Sequence, residues 1–128
     1  MKKLLTFTLL SVLLSGMFFS CDKEEDIDTY VKITVNESGQ IESGVSVYMF
    51  DENKGPGTSF FTPFHSDKTV VTESNGVATF NLQDTYDLDD SDSQTTLYFG
   101  VFDTNNNGLG STAITIEKGQ TKTATINY

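Results

Sequence analysis

The chain has no arginine and no tryptophan, and its 128 residues include one histidine, His65, one cysteine, Cys21, and two prolines. Each scarcity removes a class of explanation. With 8 lysines against 18 acids and a net charge of −10, the surface repels phosphate backbones, which excludes nucleic acid as a partner. A lone cysteine cannot brace a fold with a disulfide, so stability must come from strand pairing and buried side chains. Hydrolytic and transfer sites need a positioned base or nucleophile, and a single histidine with no second thiol supplies no relay. Asp87, Asp89 and Asp90 lie close together, but in a polar, acid-rich loop and not in the apolar pocket that raises a carboxyl pKa. The expectation is a non-enzymatic protein with no catalytic residues.

Long hydrophobic runs are also missing, except at the start. MKKLLTFTLLSVLLSGMFFS has a basic opening at Lys2 and Lys3, an apolar run from Leu4 to Leu14, and small residues before Cys21. It is too short and wrongly flanked to span a bilayer, which takes about 20 apolar residues, and it reads as a secretory leader. The ending Phe18-Phe19-Ser20-Cys21 resembles a bacterial lipobox, with Phe18 where a leucine-like residue is usual. That resemblance implies cleavage before Cys21 and lipidation of Cys21, so the membrane becomes a partner through the lipid. Loss of Lys2 and Lys3 with the leader takes the net charge from −10 to −12. The run Asp22-Lys23-Glu24-Glu25-Asp26 has no apolar periodicity and reads as a solvated tether. An acidic tract directly after the lipidated cysteine resembles the export signal of surface lipoproteins of the Bacteroidota, which implies an outer membrane lipoprotein exposed at the cell surface. The boundaries are a leader over 1–20, Cys21 and tether over 21–29, and a folded domain over 30–128.

Within that domain, apolar residues alternate with polar ones in short runs separated by turn residues. Expected strands cover Tyr30–Val35, Val45–Phe50, Lys68–Thr72, Val77–Leu82, Thr95–Asp103, Ser111–Ile116 and Thr121–Tyr128. Breaks at Asn36–Gly39, Gly55-Pro56-Gly57, Ser74-Asn75-Gly76, Asn105–Gly108 and Glu117–Gln120 separate them. The fold class is all-β: a seven-stranded antiparallel β-sandwich with no substantial helix after the leader. If successive strands simply reverse, the 52–66 stretch, the acidic 83–94 loop and the Glu117 turn share the tether's end. The turns at Ser38, Asn75 and Asn105–Gly108 then form the far tip.

The segments VKITVNESGQIESGVSVYMF, TVVTESNGVATFNL and ITIEKGQTKTATINY resemble the transthyretin-like and carboxypeptidase-regulatory-like sandwich domains, with an immunoglobulin-like Greek key. Gly44-Val45-Ser46-Val47 and Thr72-Glu73-Ser74-Asn75-Gly76 carry the likeness; Glu73 replaces an aspartate, Ile41 stands where proline is common, and 52–66 is a long insertion. A hydrolase branch of that family relies on histidines and arginine, which this sequence cannot supply. Related adhesin domains join a first-strand lysine to a last-strand asparagine. Lys32 and Asn127 occupy those strands, but both alternate with apolar neighbours and so face water, whereas the bond forms in a dry core.

Two sets of candidate site residues remain. Asp103, Asn105 and Asn107, followed by Gly108, reproduce the alternating-oxygen start of a calcium loop, although position twelve is Ile114 and neutral asparagines imply weak calcium at most. The same residues are a strong hairpin-turn signal, and no other cofactor is expected. The second set is aromatic: Tyr48, Phe50, Tyr98 and Phe102 on the expected solvent faces of neighbouring strands, with Phe60, Phe61 and Phe64 in the insertion. These rings form one patch, either covered by the insertion or open to a partner. The functional expectation is a surface-anchored module for adhesion, envelope structure or accessory binding of a protein. The alternative is a glycan or small-ligand binder, with calcium as an optional aid.

Overall fold

The computed structural model describes residues 28–51, 61–83 and 94–128. The leader, Cys21 with most of the tether, Phe60 and the aspartates of the acidic loop lie outside the described residues. The strands are β1 (Tyr30–Glu37), β2 (Gln40–Ile41), β3 (Ser46–Phe50), β4 (Lys68–Val71), β5 (Val77–Asn81), β6 (Gln94–Phe102), β7 (Gly108–Glu117) and β8 (Thr121–Asn127). Pro63–His65 forms one turn of 3-10 helix. All seven expected strands form close to their expected limits, and β2 is a short addition.

They pack as two sheets, β4-β3-β6-β7 and a second one centred on β1. On one edge of β1 runs β8, opposite Tyr30 to Asn36; on the other, β5 faces Tyr30 to Thr34 and β2 faces Asn36 and Glu37. The sandwich is as expected, but the fully antiparallel arrangement is corrected at one ladder: β1 and β8 run parallel. The reason lies at the Glu117–Gln120 turn. It sends the chain from β7 in one sheet to β8 in the other instead of closing a paired hairpin, and it sits beside the start of β1, where the Tyr30 N–H donates to the Gln120 carbonyl at 3.0 Å. A strand that starts beside the first residue of β1 and then pairs with it must run in the same direction.

Alternation sends one side of every strand inward. Val31, Ile33 and Val35 of β1 meet Val47 and Met49 of β3 and Leu97, Phe99 and Val101 of β6, and Phe80 stacks edge-on against Phe99 at 5.1 Å. Full burial of such a side chain contributes about 1.5–3 kcal/mol, which is how a domain without a disulfide holds together. At the two sides of the sandwich a lysine bridges the sheets. Lys68 of β4 donates to the Asn81 carbonyl of β5 at 2.7 Å, and Lys122 of β8 donates to the Thr115 carbonyl of β7 at 2.5 Å. A cation at a strand edge also disfavours pairing with another chain.

Thr29, just before β1, is held against the fold. It is buried, its hydroxyl accepts the Gly119 N–H at 2.8 Å, and its carbonyl accepts the Leu82 N–H at 2.9 Å. The strand directions put this entry point at one end, together with Asp51, Gln83 and the Glu117 turn. The Ser38–Gly39, Asn75–Gly76 and Asn105–Asn107 turns and Tyr128 gather at the other, as expected.

Candidate functional site

The aromatic set lies on the outer face of the β4-β3-β6-β7 sheet. Tyr48 and Phe50 point away from the core on β3, and the ladder places Phe50 opposite Tyr98 and Tyr48 opposite Gly100. Gly100 is the position at which the aromatic row is interrupted. A Cβ there would meet Phe61 Cε1 at 3.0 Å and Phe102 Cε2 at 3.1 Å, so the missing side chain makes the socket into which Phe61 descends. The Phe61 ring lies 4.3 Å from that of Phe50 and 5.6 Å from that of Phe102, and Phe102 meets Tyr48 edge-on at 5.5 Å. Phe50 is fully buried although it points out of the core. The rims of Tyr48, Tyr98, Phe61 and Phe102 are half-buried.

Phe64 does not join this cluster. Pro63 starts the 3-10 turn, which presents Phe64 with 90% of its surface exposed and its ring against His65 at 5.2 Å. His65 Nδ1 and the Thr62 hydroxyl lie 3.0 Å apart. Phe60 falls outside the described residues.

At the far tip, Asp103 organises the turn between β6 and β7. Its Oδ1 accepts the N–H groups of Asn105 and Asn107, each at 2.8 Å, and its Oδ2 accepts the Asn107 side-chain amide at 2.9 Å. Asn106 takes a left-handed φ of 63°, which asparagine tolerates. Donation from the Asn107 side chain, then from the Asn107 backbone, holds the Asp103 carboxyl below the usual aspartate value. Both carboxylate oxygens thus face N–H donors, and Asn107 turns its nitrogen inward. A cation entering here must displace these bonds. Among the described residues, no three His, Cys, Asp or Glu side chains cluster as metal ligands do.

Thr72, unremarked as a site residue in the sequence, clasps the same end. It is buried, and its hydroxyl accepts the Val45 N–H at 3.0 Å while donating to the Glu42 carbonyl at 2.9 Å. Four residues on, Gly76 at φ 71° lies so close under Ile41 that a Cβ would fall 1.9 Å from Ile41 Cγ2. The Thr-x-x-x-Gly spacing is therefore a joint between β3 and the β4–β5 turn. For Gly100 the available signal was a glycine in the middle of an alternating strand.

Lys32 and Asn127 are exposed, and the ladder sets Lys32 opposite Thr123 and Asn127 opposite Asn36. Four residues of strand separate them, about 13 Å. No covalent bridge joins side chains so placed. Among the described residues no helix is long and apolar enough to cross a membrane.

No protein-family model matches the chain, and no curated protein does. Among solved structures it is similar to BcpA, the major pilin subunit of Bacillus cereus, at 14% identity and a TM-score of 0.47. The similarity covers 78% of this chain and 29% of the pilin subunit, so the chain spans less than a third of that protein. So distant a likeness carries no function across.

Proposed function

We propose that the chain is a non-enzymatic lipoprotein module, anchored through Cys21 at the outer membrane and exposed at the cell surface, that serves adhesion, envelope structure or accessory protein binding. The observation that supports this reading is the separation of the two ends. The chain enters the fold at Thr29, and eight residues of tether reach at most about 28 Å from Cys21. The opposite end carries the turns and three exposed apolar side chains, Ile41, Val71 and Leu109, and the same end holds Glu37, Glu42, Glu73 and Asp103. A domain held at one end by a lipid meets its surroundings with the other. The test is mass spectrometry of Cys21 with protease treatment of intact cells. The expected result is an acylated N-terminal cysteine on a chain that the protease removes, while Cys21→Ala releases the chain to the soluble fraction. An unacylated Cys21 overturns the reading.

A further inference from the structure

We propose that the outer face of the β1–β5–β8 sheet is a binding surface for a neutral polysaccharide. This rests on the reading of the domain as a non-enzymatic binding module, though not on its anchor. Thr121, Thr123 and Thr125 of β8 stand beside Lys32 and Thr34 of β1, and Thr79 of β5 flanks Lys32 on the other side. All face away from the core. Among the described residues these threonine hydroxyls find no protein partner, whereas on the opposite sheet Thr96 and Thr115 hydrogen-bond each other at 2.9 Å.

The chemistry of the face selects its occupant. Among the described residues the outward strand positions of this face carry no carboxylate, and Asp28 at its lower margin is engaged by the Tyr30 hydroxyl, so docking over the strands buries no unpaired anion. An anionic polymer is repelled by the net charge of the whole molecule, and a cationic one finds no acid on these described strand positions to pair with. A neutral polyol meets neither obstacle. Each hydroxyl both donates and accepts, as sugar hydroxyls do. β-Branching holds the threonine χ1 angles, and the ladder sets Thr121, Thr123 and Thr125 about 6.7 Å apart along β8 and Thr34 about 4.8 Å from Thr125, with Lys32 between Thr123 and Thr79, so little side-chain freedom is lost on binding. Tyr30, half-buried at the lower margin with its hydroxyl donating to Asp28 at 2.9 Å, adds an aromatic edge on which a sugar face can rest.

The experiment uses the full chain in detergent, incubated with insoluble cellulose, chitin and β-1,3-glucan, with alginate beads as the anionic control. The expected result is retention on at least one neutral polymer, unchanged in 1 M salt, and none on alginate. The triple variant Thr79→Val, Thr123→Val, Thr125→Val keeps the side-chain shape and is expected to lower retention at least tenfold at unchanged melting temperature. Thr123→Glu, which sets a carboxylate in the face, should do the same, and Thr96→Val on the other sheet should not. No retention on any neutral polymer, full retention by the triple variant, or a dimer in sedimentation that the same substitutions abolish would overturn the proposal. Release of reducing ends from the polymer contradicts instead the non-enzymatic reading and leaves the face standing.

Discussion

The two outer faces of the sandwich start from the same geometry and end in opposite states. On the β4-β3-β6-β7 sheet the outward positions hold Tyr48, Phe50, Tyr98 and Phe102, and Phe61 comes down over them until Phe50 is as buried as any core residue. On the β1 sheet the outward positions hold mainly threonines and asparagines around Lys32, and most of them stay exposed. Alternation decides which side chains leave the core. What they are decides whether water or another part of the chain receives them. An outward ring loses its contact with water when a cover is available, whereas an outward hydroxyl has nothing to gain from an apolar one.

Phe50→Ala breaks this comparison most directly. The Phe50 ring is fully buried, so its loss should cost about 3–5 kcal/mol, the range for a buried phenylalanine. Thr125→Ala at the matching level of the other face should stay within about 0.5 kcal/mol. Urea denaturation with unchanged slope checks both, and equal small costs would mean that Phe61 does not cover the face. A finer cut is the socket itself. Phe61→Ala should cost about 2 kcal/mol from lost burial, and Gly100→Ala about 1–3 kcal/mol, because its Cβ displaces the Phe61 ring. Combined, the two should cost less than their sum, since the new methyl enters space that the ring has left.

This face also marks the limit of what the sequence makes legible. The strands follow from period-two alternation between turn residues, and the two ends follow from counting reversals, so fold and polarity were both readable. The parallel β1–β8 ladder was not, because pairing between residues some ninety positions apart leaves no local trace; only the register shows Val31 beside Lys122. The aromatic cluster was half readable. Tyr48, Phe50, Tyr98 and Phe102 share a face by parity, but choosing Phe61 and not Phe64 as the cover required the Pro63 turn, which aims Phe64 into solvent. Asp103, Asn105 and Asn107 were readable as a group, yet the spacing of a cation loop and of a hydrogen-bonded turn is the same. Only the direction of the Asn107 amide separates them.

The smallest expected effect concerns the upper rim of the aromatic face, where β6 passes from Phe102 into the Asp103 turn; the threonine face has no corresponding carboxylate. The Asn107 side chain and the backbone donors hold the folded Asp103 carboxyl below its ordinary value, about 3.9 for an unfolded aspartate. A depressed folded pKa contributes stability that is complete above the unfolded value and is lost as pH falls through the folded one. Stability of the chain relative to Asp103→Ala should therefore be constant from neutrality to about pH 5 and shrink below about pH 4. Hydrogen exchange should place the loss in the Asn105 and Asn107 amides, leaving those of β1 and β8 unchanged. An advantage that persists unchanged at pH 2 would mean that the carboxylate's charge does not hold the turn, and that Asp103 acts there only as a shape.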